Sequence, residues 1–202
     1  MYKIFAKRLI DILLSLCFIP FLVVIYIVVA PVIFFYDRGP IFYNAPRLGK
    51  NGKVFMMYKF RSMKVNAPDI RNEDGSTFNS ENDLRLTPIG KIIRPTSLDE
   101  IPQLLNILKG EMSIVGPRPD LPEAIQTYTD IEKKKLLVRP GITGYSQAYF
   151  RNSIQMNEKF ANDNYYVNNL SFIFDLRIIL RTIYIVIGRR NIYTNERVHK
   201  GK

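Results

Sequence analysis

Between Ile12 and Tyr36 lie 25 consecutive residues without a formal charge, most of them Ile, Leu, Val, Phe and Tyr. About 20 apolar residues suffice to cross the hydrocarbon of a bilayer, so the run is long enough to do so. The apolar stretch of a secretory leader is about 7–15 residues, which this run exceeds. Two features complicate a simple span. Pro20 lies inside it, where proline removes a backbone hydrogen bond and bends or breaks a helix. Both flanks are also basic: Lys3, Lys7 and Arg8 precede the run, and Arg38, Arg47, Lys50, Lys53, Lys59, Arg61 and Lys64 follow it. Basic flanks favour the cytoplasm. Both can lie there only if the segment enters and leaves by one side, as a re-entrant helix hinged near Pro20. From these residues alone, spanning and re-entrant topologies both stay open.

Charge is uneven along the chain. Of its 202 residues 29 are basic and 18 acidic, for a formal net charge of +11. Residues 1–64 carry +8, residues 65–138 carry −3 and residues 139–202 carry +6. Basic ends suit nucleic acid or anionic lipid. The apolar run beside the N-terminal charge and the acidic middle favour lipid and argue against nucleic acid. With 47% hydrophobic residues the chain is not disordered. Its single cysteine, Cys17, excludes a disulfide scaffold and a cysteine-cluster zinc site. Its one histidine, His199, argues against a Ser-His-Asp or Cys-His engine. Neither a P-loop nor a G-x-G-x-x-G fingerprint occurs. Any catalysis must rest on carboxylates, Arg and Lys, with or without a metal.

Beyond the apolar run, Ile41–Leu48 and Lys53–Arg61 flank Gly49-Lys50-Asn51-Gly52, a hairpin signal. Alternation would put Val54, Met56, Tyr58 and Phe60 on one face and Lys59 and Arg61 on the other, either solvated or against phosphate or lipid head groups. Residues 65–88 read as a long polar loop. Ile101, Leu104, Leu105 and Leu108 follow helical spacing, with Gly110 as the stop. A further helix is expected from Glu158 to about Asn168. Ser171–Gly188 is apolar but interrupted by Asp175, Arg177 and Arg181, the pattern of a helix lying in the membrane interface. The fold class is α+β: a membrane segment over residues 1–38, then a cytoplasmic catalytic domain over 39–202 with a small β-hairpin and amphipathic interfacial helices.

Chemistry concentrates in Arg94-Pro95-Thr96-Ser97-Leu98-Asp99-Glu100-Ile101-Pro102-Gln103. Ser97-x-x-Glu100 fits a helix capping box, and acidic residues suit a helix N-terminus. Alternatively Asp99 and Glu100 form an acidic pair, one carboxylate serving as nucleophile and both as oxygen ligands for a hard divalent cation. Arg94 is either a phosphate contact or a surface ion-pair partner. Gly116-Pro117-Arg118-Pro119 fixes the backbone on both sides of an Arg, which suits bidentate phosphate recognition. Arg139-Pro140-Gly141-Ile142-Thr143-Gly144 repeats the theme. Three Arg–Pro elements and one acidic pair within 50 residues of a membrane-attached chain suggest an anionic phosphate substrate.

These residues resemble the monotopic phosphoglycosyl transferases, the bacterial sugar transferase family that initiates glycoconjugate assembly. The resemblance rests on Lys7-Arg8-Leu9-Ile10-Asp11, Tyr58-Lys59-Phe60-Arg61-Ser62-Met63, Ser97 to Leu104, Leu108 to Ser113, Gly116 to Pro119 and Arg139 to Gly144, in family order across nearly the whole chain. The length resembles the minimal members, which lack a multi-span N-terminal region. The resemblance implies transfer of a phosphosugar, with an N-acetylated amino sugar expected, from a UDP-sugar to polyprenol (undecaprenyl) phosphate with release of UMP. It implies Mg²⁺ bound at Asp99 and Glu100, Asp99 as the nucleophile of a covalent phosphosugar intermediate, and Glu100 as metal ligand or helper in the second step. Arg94, Arg118, Arg139, Arg151, Lys59 and Arg61 would bind substrate phosphates, and Pro20 would hinge a re-entrant helix. The location implied is the cytoplasmic face of the bacterial inner membrane, with membrane lipid and downstream glycosyltransferases as partners; the oligomeric state is not legible. The chain departs from the family at Gln147-Ala148-Tyr149-Phe150-Arg151-Asn152, where many members carry a glycine, and this bears on donor-sugar identity. The alternative is a non-enzymatic membrane-interface scaffold in which the acidic pair is only a cap.

Overall fold

The apolar run forms one helix. In the computed structural model, which describes residues 2–70, 78, 80, 82–151 and 154–188, a π-helical turn Tyr2–Ala6 leads into α1, Lys7–Asp37. Its 31 residues rise about 46 Å at 1.5 Å per residue, and it is the one helix among the described residues long and apolar enough to cross a membrane. The break expected at Pro20 is not a gap in the helix: α1 continues through both Pro20 and Pro31. Each proline deletes one backbone hydrogen bond, and the apolar turns on either side carry the helix on. Arg38, in the left-handed conformation, ends it by donating its N–H to the Phe34 carbonyl at 2.7 Å.

One stripe of α1 enters the core and the rest faces outward. Leu22, Ile25, Val29 and Ile33 follow helical spacing and pack with Phe55, Met57, Phe60, Ile93, Leu104, Ile107 and Met112. Leu13, Leu16, Phe21, Val24, Ile27 and Phe35 are exposed. Both ends of α1 are tied to the same body. At its start, Arg8 donates to the carbonyls of Ile107 and Leu108 at 2.6 and 3.2 Å, and Asp11 accepts from the Ser113 hydroxyl and the Ile114 N–H, both at 3.0 Å. At its end, both oxygens of Asp37 take the Arg61 guanidinium at 2.6 Å.

Strands β1 (Ala45–Leu48) and β2 (Val54–Met57) pair antiparallel, with Leu48 opposite Val54, on either side of the expected turn. Asn51 and Gly52 both take positive φ there, which suits the residue types present. The face assignment is reversed, however. Phe55 and Met57 are buried, while Val54 is 49% and Met56 45% exposed. Phe60 is buried nonetheless, because β2 ends at Met57 and the alternation slips a phase over Tyr58 and Lys59.

After α2 (Gly90–Ile93), helix α3 (Gln103–Lys109) stops at Gly110, as expected, with φ of 85°. Its buried face is Leu104 with Ile107, while Leu105 is exposed. Strands β3 (Ser113–Val115) and β4 (Gly141–Thr143) form a short parallel pair. Helices α4 (Tyr145–Tyr149), α5 (Met156–Asn169) and α6 (Phe172–Ile187) complete the fold. Helix α5 contains the expected helix from Glu158. On α6, Ile173, Leu176, Leu180, Ile183 and Ile187 form an exposed apolar row at alternating spacings of three and four. Within 65–88 the described residues hold one bridge, Met63 to Leu86, and a buried bidentate pair of Arg85 and Asp83. Residues 71–77, Asn152 and His199 lie outside the described residues.

The β3–β4 seam requires glycine. A β-carbon on Gly141 would stand 2.1 Å from the Gly116 nitrogen and 2.2 Å from the Thr143 carbonyl oxygen, and both obstacles are backbone. Gly141→Ala is expected to destabilise the fold by about 3 kcal/mol through overpacking. Thermal unfolding in detergent checks this, and a melting point equal to that of the unsubstituted protein would contradict it.

Candidate active site

Asp99 and Glu100 sit in a single 3₁₀ turn, Leu98–Glu100, that opens from Ser97 in the left-handed conformation. The capping reading fails here. Ser97 makes no side-chain cap bond, and α3 starts only at Gln103, after Pro102. Both carboxylates are therefore free of the helix end. Asp99 is 5% exposed, and an ionised carboxylate at such depth needs compensating charge.

The hairpin supplies that charge. The Phe60 N–H donates to the Asp99 carbonyl at 2.9 Å, which brings Lys59 alongside the pair. Its ammonium lies 2.6 Å from Glu100 Oε1 and 3.9 Å from Asp99 Oδ2. Asn106, fully buried on α3, fixes the register. Its Oδ1 accepts from the Tyr58 N–H at 2.9 Å, and its Nδ2 donates to the Met56 carbonyl and to Glu111, each at 2.7 Å. Sequence reading missed Asn106. Its signal was a polar residue sharing a helical face with Leu104 and Ile107.

Four expected cations gather at the pair. Besides Lys59, Arg118 donates to Glu100 Oε1 at 3.1 Å from a half-exposed position, where solvent screens it. Arg94 is close enough for its charge to act on Asp99 and Glu100. Arg151, held in the left-handed conformation, reaches the Pro95 carbonyl at 3.4 Å and senses the charge of Glu100. Four cations about two carboxylates leave the site net positive by two, a setting for a polyanion. The other two expected cations are elsewhere. Arg61 is engaged by Asp37 and donates to the Pro40 carbonyl at 2.5 Å, so it anchors the end of α1. Arg139 donates to the Gly110 carbonyl at 2.8 Å, at the end of α3 opposite the acidic pair. Each is taken by a partner distant in sequence that spacing alone does not reveal.

The two carboxylates are driven apart in acidity. Burial pushes Asp99 up to about 6, against the pull of Lys59 and with the help of the Glu100 charge. Burial also raises Glu100, but Lys59 and Arg118 outweigh it and hold that group well below the usual carboxylate range. Asp99 is thus ionised at neutral pH yet more basic than an ordinary carboxylate. No cluster of three or more metal-ligating side chains occurs among the described residues. The neighbouring carboxylates do fit Mg²⁺, which takes one or two carboxylates and completes its shell with water and substrate phosphate.

Comparison with known proteins places this geometry in context. The model of the family described as bacterial sugar transferase matches residues 2–189. The undecaprenyl-phosphate galactose phosphotransferase of Salmonella typhimurium is 36% identical over 94% of this chain and 42% of its own length. The exopolysaccharide production protein ExoY of Sinorhizobium fredii is 37% identical over 93% of this chain and 88% of its own length. The UDP-N-acetylgalactosamine-undecaprenyl-phosphate N-acetylgalactosaminephosphotransferase of Aeromonas hydrophila is 35% identical over 89% of this chain and 43% of its own length. The chain thus spans less than half the length of several curated relatives that it matches.

The site carries its own test. The Asp99 carboxyl is expected to titrate with a midpoint of about 6 by carbon NMR of the full chain in detergent. Lys59→Met is expected to raise that midpoint, because it removes a cation that stabilises the ionised form. A midpoint near the ordinary value of about 4, or one unmoved by Lys59→Met, would contradict the electrostatic account.

Proposed function

The chain belongs to the bacterial sugar transferase family, and we propose that it moves a phosphosugar from a UDP-sugar onto polyprenol phosphate, undecaprenyl phosphate by preference, releasing UMP. The observation that carries this reading is the buried Asp99, raised in basicity, beside Glu100 and with four cations gathered about the pair, in a chain with a long lipid-suited helix. The names of relatives point to galactose and N-acetylgalactosamine as donor sugars to try first. An N-acetylated amino sugar is the preferred donor.

The transfer divides into two displacements. An oxygen of Asp99 attacks the sugar-bearing phosphorus, the bond from that phosphorus to the bridging oxygen breaks, and UMP leaves with the electron pair. An oxygen of the lipid phosphate then attacks the same phosphorus, the acyl phosphate bond breaks, and the Asp99 carboxylate is restored. Glu100 keeps Lys59 and Arg118 turned toward the site. These cations, with Arg94 and Arg151, offset the negative charge that gathers on the phosphate oxygens. Mg²⁺, held by Asp99 and Glu100 together with the donor diphosphate, would neutralise further phosphate charge when bound. The nucleotide sugar and the lipid need never share the site.

The membrane arrangement follows from α1. A helix crossing the bilayer carries one end to the far side. Here Arg8 and Asp37, at opposite ends, are both anchored to the body that holds the acidic pair. We therefore read α1 as re-entrant, bent at Pro20, with both basic flanks on the cytoplasmic face of the bacterial inner membrane. The exposed apolar row of α6 lies in the same interface. Its Arg181 stacks over Tyr149 and Tyr184, at 5.5 and 5.4 Å from the ring centres.

Two experiments test the reading. Purified protein with Mg²⁺, a UDP-sugar panel and undecaprenyl phosphate is expected to release UMP. Asp99→Asn should remove this release by about a thousandfold or more without lowering the melting point. Without lipid acceptor, the rate of the UMP burst should fall as pH is lowered and Asp99 takes up its proton, and level off where Asp99 is fully ionised. Near-normal release by Asp99→Asn would remove Asp99 from the mechanism. Topology is read with single cysteines at Lys3 and Lys64 in a Cys17→Ala background. Both are expected to resist an impermeant maleimide applied from the periplasmic side. Labelling of one but not the other would establish a span.

A further inference from the structure

Arg118 poses a problem of aim. Its side chain is half exposed, and among the described residues its hydrogen-bond partner is Glu100, at 3.1 Å. A pair with its cation half open to solvent is screened and holds too weakly to fix the turn that carries it. Pro117 and Pro119 stiffen the backbone on either side, but a stiff segment still needs both ends held. The near end is held by the strands: the Gly116 N–H donates to the Thr143 carbonyl at 2.9 Å, and the Pro117 carbonyl accepts from the Gly141 N–H at 3.0 Å.

The far end is Asp120, and it meets an unusual cluster. Lys135 is 6% exposed, and its ammonium sits 2.7 Å from Asp120 Oδ2 and 2.7 Å from Asp163 Oδ2 on α5. The Tyr128 hydroxyl donates to the same Asp120 oxygen, and the Asp120 carbonyl accepts from the Leu48 N–H at 2.9 Å. The Phe160 ring covers the ammonium at 5.1 Å. Burying such a triad is a poor route to stability, since apolar residues of similar volume serve as well or better. What ions and their hydrogen bonds add is a single defined position for the chain that carries them.

We propose that Asp120, locked by Lys135 and Tyr128, is a positioning residue that aims Arg118 at the diphosphate of the nucleotide donor. The inference rests on the reading of the site as a UDP-sugar site. Asp120 touches no substrate and acts only through Arg118. The clamp binds the turn at the end away from β3 and β4, where the backbone bond from Leu48 at the edge of β1 is its other tether. Asp163, on the other side of Lys135, belongs to the packing of α5 and not to the aim of the turn.

Paired substitutions separate aim from packing. Asp120→Asn and Asp163→Asn each remove one of the two carboxylates facing Lys135, and only the first loosens the side-chain hold on the turn. Measured by UMP release, Asp120→Asn is expected to raise the donor KM about tenfold with kcat within about twofold. Asp163→Asn should lower the melting point by as much or more, yet leave the donor KM within about twofold. Tyr128→Phe, a milder loosening that keeps all charges, should raise KM in the same direction by less. UDP binding by calorimetry gives a second readout that needs no turnover, with the same ranking of affinities. A donor KM unchanged in both Asp120→Asn and Tyr128→Phe, or raised equally by Asp163→Asn, would overturn the proposal. Absence of UMP release from the unsubstituted protein, with UDP still bound and the ranking kept, would instead count against the transferase reading alone.

Discussion

Two adjacent carboxylates lie beneath the surface of this protein, and the arrangement around them follows from what such burial demands. Left uncompensated, either would give up its charge. The hairpin therefore delivers Lys59 to the pair at 2.6 Å, fastened by the backbone bond between Phe60 and Asp99 and by the buried amide of Asn106. The Pro-Arg-Pro turn delivers Arg118 from another direction. Because Lys59 and Arg118 both favour Glu100, that group stays ionised, and Asp99 keeps the raised basicity that burial gives it. The asymmetry between two chemically similar neighbours thus comes from where the cations point.

The same economy governs the membrane helix. Its inner stripe is part of the core that supports the hairpin and α3, so the surface toward lipid and the surface toward the site are two faces of one helix. Arg8 illustrates the linkage: it leaves the start of α1 and caps the last carbonyls of α3, whose first turn follows the acidic pair. At the other end, Arg61 holds Asp37 just two residues beyond Lys59. The position of α1 and the position of the cations at the acidic pair are in this way set together, which suits the proposed encounter of the site with a lipid phosphate.

Much of this was legible in the sequence. The uncharged run, the Gly-bounded hairpin turn, the stop at Gly110 and the helices now called α5 and α6 all carry local signals of period, turn chemistry or capping. The acidic pair and its Arg–Pro companions stood out by residue type, and four of the six expected cations gather there. What local pattern does not contain is partnership across distance. Arg61 and Arg139 look like Lys59 and Arg118 on paper. They differ because Asp37 and the Gly110 carbonyl, 24 and 29 residues away, claim them. The burial of Phe60 has a similar origin: β2 ends at Met57, and Asn106 takes over the backbone pairing at Tyr58 that alternation assumes will continue. The clamp on Asp120 was invisible for the same reason, since Lys135 and Asp163 acquire meaning only once α5 is folded against the turn.

The claim at the centre is that Asp99 itself carries the phosphosugar between donor and acceptor. Intact-mass analysis of the purified protein, incubated with UDP-sugar and Mg²⁺ in the absence of lipid acceptor, tests it most directly. The account predicts one added phosphosugar per chain, mapped to the peptide containing Asp99, absent from Asp99→Asn and discharged when undecaprenyl phosphate is added. UMP formed only when donor and lipid are both present, with no adduct trapped at any stage, would contradict it and replace the two displacements with a single direct transfer.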